Sequence, residues 1–294
     1  MRFGYISMNS ATGIRPDVIA RGLEERGFDS LWVPEHSHIP TSRESPYPAG
    51  GKLPEGYLHM MAPFVSLAAA ATVTSTLTVA TGVCLLLEHD LLDLACTAAT
   101  LDVLSGGRLL LGVGVGWNRE ELANHRPDVP FEKRYAAMRE RVAALRAIWS
   151  DEQPAFSGRW DRFSPSWIYP KPPRGAVPIA LGNSGPLGIR HAAEYADQWC
   201  PIDTMLIGYD GRPDVVGSVG RFRNLVAEKG RDPETVPISL FMFSRPTPAR
   251  LERYAPLGLE RIVLSAPTAE LQDPSTTLRH LDELAPIVAE WRNR

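Results

Sequence analysis

Short apolar, β-branched runs alternate with amphipathic segments along the whole chain, and this rhythm narrows the possible fold more than any other feature. Arg2 to Ser7 reads as a strand, and Pro16 opens a helix that turns Val18, Ile19 and Leu23 inward before Gly27 stops it. Phe28 to Val33 is a second strand, followed by a polar loop from Pro34 to about Met60. An Ala-rich helix over Pro63 to Val73 leads to a third strand, Leu77 to Cys84. Asp90 caps a helix carrying Leu94, Ala98 and Leu101, which ends at Ser105-Gly106-Gly107 and hands over to a strand from Arg108 to Val115. The spacing then predicts a helix over Phe131 to Trp149, a long loop from Gln153 to Gly175, and strands at Val177 to Leu181, Gln198 to Ile202, Val236 to Phe243 and Arg261 to Ser265. Helices starting at Pro186, Pro213, Pro248 and Pro274 separate or follow these strands.

Regular alternation of this kind makes a parallel sheet, and roughly eight units favour closure into a (β/α)8 TIM barrel over an open sheet. The 294 residues suit one such domain spanning 1–294, with its long loops at the C-terminal face of the strands. Net charge is −3 with both signs scattered, so nucleic acid and anionic membrane surfaces are not expected partners and a small-molecule substrate is. Cys84, Cys96 and Cys200 are odd in number and sit in apolar runs, as buried thiols do in a reducing compartment. No signal-peptide pattern opens the chain and no run approaches the roughly 18 apolar residues of a membrane span, so a cytoplasmic location is expected.

Four strand ends carry residues suited to chemistry. Gly112-Val113-Gly114-Val115-Gly116-Trp117-Asn118 places alternating glycines where backbone can approach a flat ligand, or where barrel packing is tight. Its G-x-G-x-G spacing is not the dinucleotide fingerprint. Gly182-Asn183-Ser184-Gly185-Pro186 turns a strand straight into a helix, giving either a simple cap or a phosphate site built from free amides and two polar side chains. Glu35-His36-Ser37-His38 gathers a carboxylate and two histidines, able to move a proton; the spacing is not that of a zinc site, and no metal is expected. Thr81-Gly82-Val83-Cys84 puts a glycine near a strand end, a barrel kink or a close ligand approach. Tyr57, His38, Trp117 and Trp167 are candidates for the pocket mouth.

Together with the run Ala99-Thr100-Leu101-Asp102-Val103-Leu104-Ser105-Gly106-Gly107-Arg108 and with Leu31-Trp32-Val33-Pro34-Glu35-His36, these motifs resemble the bacterial luciferase-like monooxygenase superfamily, in particular its branch of F420-dependent oxidoreductases. The resemblance covers nearly the whole chain. It implies a barrel holding F420, or alternatively FMN, at the strand C-termini, with a non-proline cis peptide at Gly82-Val83. It further implies cofactor contacts from Glu35, His36, Gly82, Val83, Gly114, Gly116, Asn118, Gly182, Asn183, Ser184 and Gly185, with His36 and Glu35 as catalytic residues and hydride transfer to or from a small organic molecule. A homodimer is common in the family. In the sugar-phosphate dehydrogenases of this branch a catalytic glutamate follows the Gly-x-Gly strand; the matching position here is Trp117, which directs the expectation away from a sugar phosphate and toward a hydrophobic or flat organic substrate. The rivals are an FMN-dependent monooxygenase on the same barrel and a deazaflavin- or flavin-binding protein without catalysis.

Overall fold

The computed structural model describes residues 1–265 and 274–292. The first half runs β1 (Arg2–Ile6), α1 (Pro16–Glu25), β2 (Ser30–Val33), α2 (Pro63–Thr72), β3 (Thr78–Thr81), β4 (Cys84–Leu85), α3 (Leu91–Leu104), β5 (Leu109–Gly114), α4 (Arg119–His125) and α5 (Arg134–Ser150). A hairpin of β6 (Phe156–Ser157) and β7 (Arg162–Phe163) follows, then β8 (Ile179–Leu181), α6 (Pro186–Tyr195), β9 (Gln198–Trp199), α7 (Val215–Glu228), β10 (Ser239–Met242), α8 (Pro248–Tyr254), β11 (Arg261–Ser265) and α9 (Pro274–Arg292). Parallel pairing runs in the order β10-β11-β1-β2-β3-β5-β8-β9. Parallel bridges from Trp199 to Ile238 and from Ile202 to Phe241 close the ring, so the sheet is the expected TIM barrel.

The two-residue period of each strand explains the two cores. Leu31, Val33, Val79, Leu109, Leu111, Val113, Ile179, Leu181, Leu240 and Ile262 face outward into the helix layer. Trp32, Ala80, Leu110, Ala180, Cys200, Phe241 and Val263 face inward and pack together inside the barrel. Small residues opposite large ones make this interior fit: Trp32 and Phe241 meet edge to face with centroids 5.1 Å apart, and a Cβ on Gly4 would lie 2.2 Å from the Ser30 hydroxyl.

The N-terminal mouth is fastened by polar groups. Arg108 donates to the carbonyls of Ala71, Thr74, Leu77 and Ser105, tying the end of α2 to the start of β5. Asp102 accepts from the Leu109 amide and pairs with Arg174. The Asp102 to Arg108 part of the run that begins at Ala99 is therefore a fold anchor at the face opposite the strand C-termini.

Three expectations change in detail. The third strand is interrupted at Gly82-Val83, whose peptide is cis as the resemblance implies, and resumes as β4 on β5. Pro213 does not open its helix; Asp214 caps it, accepting from the Gly217 amide. Helix α4 and the β6–β7 hairpin lie where no element was expected. No helix among the described residues is long and apolar enough to cross a membrane.

Candidate active site

Just past β2, the side chains of Glu35 and His36 engage different partners. Glu35 turns under the rim, where one oxygen accepts from the Leu85 amide at 2.7 Å and the other from His89 Nε2 at 2.8 Å. Burial alone would raise its pKa, but the bond and charge of His89 and the Leu85 amide outweigh that and hold it below the ordinary value. Both oxygens are engaged, so Glu35 orients His89 and the segment after the cis peptide; it does not orient His36. Cys84 lies against the same carboxylate, and burial together with the charge of Glu35 pushes its thiol well up.

His36 faces the mouth. Trp117 Nε1 approaches its Nε2 at 3.2 Å, and an indole N–H can only donate, so Nε2 is the accepting nitrogen and the ring proton sits on Nδ1. Nδ1 donates at 2.6 Å to Glu121 Oε2, on fully buried Glu121 of α4. The arrangement leaves a neutral imidazole with a carboxylate behind it and a basic nitrogen in front. Tyr57 and Trp117 flank the ring at 5.4 and 5.5 Å, Tyr47 packs on both, and the Arg43 guanidinium lies 5.7 Å over Trp117. Burial and the neighbouring Tyr47 hydroxyl raise the Tyr57 phenol, keeping it protonated.

Sequence reasoning missed Glu121 and Tyr47. Glu121 lies in the first turn of α4, three residues after Asn118, whose Oδ1 accepts from the Glu120 and Glu121 amides. Asn118 is therefore a helix cap that aims Glu121, and it is 1% exposed. Glu120 bonds the Ser45 hydroxyl and amide; against the opposing effect of burial, these bonds pull it down to about 2 and pin the Pro34 to Met60 loop to α4. His38 stays outside the His36 cluster, its ring bonded to Ser37 and Asn124. Trp167 is 72% exposed and makes none of the aromatic contacts that surround His36.

Across the mouth, Gly182 to Gly185 lead into α6, whose capping residue Gly185 makes no side-chain cap. Asn183 Oδ1 accepts from Tyr135 at 2.8 Å, while its Nδ2 is buried without a partner. Ser184 Oγ accepts from the Ile202 amide, leaving its own proton to give. A Cβ on Gly185 would meet nothing within 4 Å. These free donors beside open space fit an anionic group such as a phosphate. Gly114 and Gly182 do something else: a Cβ on either would strike a Val83 methyl, at 2.5 and 2.3 Å. Their absent side chains make room for Val83 at the ends of β5 and β8.

The profile of the luciferase-like monooxygenase family matches residues 15–293. An uncharacterised protein of Mycobacterium tuberculosis is 36% identical over 289 residues, covering 96% of this chain and 97% of its own. The F420-dependent glucose-6-phosphate dehydrogenase of Amycolatopsis mediterranei is 30% identical over 199 residues, 67% of this chain and 56% of that one. Among solved structures, an F420-dependent secondary alcohol dehydrogenase holding an F420–acetone adduct superimposes with a TM-score of 0.72 at 18% identity, over 97% of this chain and 98% of that one. The FMN-bound oxygenating constituent of 3,6-diketocamphane monooxygenase from Pseudomonas putida gives 0.62 at 20%, over 88% and 72%. The chain belongs to the luciferase-like monooxygenase family.

Proposed function

We propose that the chain is an F420-dependent oxidoreductase that exchanges hydride with a small, flat organic substrate, with His36 moving the accompanying proton at Nε2. The observation that carries the reading is the His36 tautomer: Nδ1–H held by Glu121, Nε2 left as the acceptor at the barrel mouth. When bound, the deazaflavin supplies a ring carbon that gives or takes hydride. Asn183 Nδ2, the Ser184 hydroxyl and the open turn at Gly185 would hold its phosphate, and Val83 with Gly82 would lie beneath its ring. Tyr47, Tyr57 and Trp117 would line the substrate side and exclude water, an aromatic wall suited to a flat molecule. A substrate hydroxyl would displace the Trp117 N–H from His36 Nε2 and pass its proton there, Glu121 stabilising the resulting imidazolium. In the reverse direction the imidazolium returns the proton to a developing alkoxide.

F420 dependence is supported by the Amycolatopsis relative; the FMN-bound neighbour supports a flavin monooxygenase as the second reading. Fluorescence titration of the full chain with F420 and with FMN separates them, joined to oxygen uptake with reduced flavin. Saturable F420 binding and anaerobic turnover across a panel of flat alcohols and carbonyl compounds are expected. Tight FMN binding without response to F420 refutes the reading, and tight binding without any turnover indicates a carrier. His36→Ala should lower turnover about 100-fold or more while leaving the F420 dissociation constant within a few-fold.

A further inference from the structure

One cation at the barrel mouth has no anion. Arg43 lies in the loop between Pro34 and Met60, half-buried, with its guanidinium 5.7 Å over the Trp117 ring. Among the described residues it makes no hydrogen bond and no ion pair, and its Nη1 is buried without an acceptor. The acids of the neighbouring elements are engaged elsewhere: Glu120 by Ser42 and Ser45, Glu121 by His36, Glu132 by Arg119 and Glu55 by His59. A guanidinium placed so loses part of its hydration with no acceptor to replace it, which an anionic ligand would make good. The backbone at Arg43 is unusual as well. Its φ is +53°, in the left-handed region that a residue with a β-carbon rarely adopts. The chain is held there from both sides by one carboxylate: Glu120 accepts from the Ser42 hydroxyl at 3.3 Å, from the Ser45 amide at 2.9 Å and from the Ser45 hydroxyl. A structural turn of this kind would carry glycine or asparagine; strain enforced by the surroundings, beside an unpaired charge, is the mark of a binding site.

We propose that Arg43 determines specificity at the mouth and that the substrate is a flat organic acid, with its carboxylate on Arg43 and its reacting hydroxyl or carbonyl at His36 Nε2. Such a substrate presupposes the oxidoreductase reading above and narrows it, whereas the carboxylate site itself does not depend on a cofactor. Trp117 sets the layout. Its Nε1 meets His36 Nε2 at 3.2 Å and its face carries the guanidinium, so both polar ends of such a molecule lie against one indole. Tyr47, packed on Trp117 with centroids 6.2 Å apart, and Tyr57, 5.4 Å from the His36 ring, cover the apolar body between them. A guanidinium presents its N–H groups as a planar fork that meets both oxygens of a carboxylate. One free cation also balances the single charge of that group. Hydride exchange and the proton at His36 are unchanged by the assignment; Arg43 holds and orients the molecule on which they act.

The test compares benzoate with benzamide, which has nearly the same shape without the charge, by calorimetric titration of the full chain without cofactor. Benzoate should bind saturably and about tenfold more tightly than benzamide. Arg43→Gln keeps the β-carbon, and so the backbone strain, but removes the charge; it should bring benzoate down to the level of benzamide. Arg43→Lys, which keeps the charge without the fork, should retain part of the preference. The readout is the ratio of the two affinities, because a loosened loop would weaken both alike. No saturable binding of benzoate, equal affinity for the two probes, or a preference that survives Arg43→Gln overturns the proposal. A benzoate preference that depends on Arg43 in a chain that does not bind F420 would remove the functional reading and leave the carboxylate site standing. F420-linked turnover of neutral flat alcohols without any benzoate preference would do the opposite.

Discussion

Val83 and the two glycines that face it offer a direct test of how these strand ends pack. In Gly182→Ala the new methyl would begin 2.3 Å from Val83 Cγ1, well under the 3.0 Å that real Cβ contacts keep. Valine is stiff at χ1, so the isopropyl group cannot swing aside, and Gly114 packs against its other methyl. Overpacking of this kind costs about 1–3 kcal/mol. Val83→Ala removes both γ-carbons from a half-buried position, at about 1 kcal/mol. The double variant then has nothing to collide, because the Gly182 methyl occupies space that Val83 has vacated. Its loss should therefore be smaller than the sum of the two single losses by about 1–2 kcal/mol, a coupling that a double-mutant cycle resolves. Urea unfolding, with the slope unchanged across all four proteins, is the measurement. Additivity within about 0.5 kcal/mol would show that the glycines do not serve Val83 and refute the packing argument.

Asp161→Ala leaves the Arg141 guanidinium buried without its bidentate partner and should cost about 3–5 kcal/mol in denaturant unfolding. Because Arg141 also holds the Leu86 and His89 carbonyls, the same change should disturb the His89 imidazole signals in NMR. Glu88 keeps its proton up to about pH 9 in the folded chain against an ordinary value of 4.5. The native state thus binds more protons between those values, and this contribution is complete below pH 4.5 and lost as pH rises toward 9, at up to about 1.4 kcal/mol per pH unit. Glu88→Gln should flatten that part of the stability profile; an identical slope in the variant would show that Glu88 ionises normally.

The barrel was legible because the signal that encodes it is local and repeated. Each strand alternates residues for two cores, and Trp32, Ala80, Leu110, Ala180 and Val263 take the inner set as their spacing requires. The site was legible as a set of strand ends but not as a set of partners. Glu35 and His36 are adjacent in sequence, yet their side chains bond different partners, Glu35 the His89 ring and the Leu85 amide, His36 the Glu121 carboxylate. Asn118-Arg119-Glu120-Glu121 reads as a helix cap followed by a charged turn, and in a segment of seven residues no periodicity separates a buried carboxylate from a solvated one. A glutamate three positions after a cap ordinarily reaches back to the capping residue's own amide; here the α4 axis points that carboxylate at His36 instead. What decides the direction is the placement of β2 beside β3, and of β3 beside β5, in the closed ring. That neighbour relation brings the loop after β2 over the helix that follows β5. The acid that governs His36 is consequently fixed by barrel topology, 85 residues away in sequence, and no local pattern around either residue could have announced it.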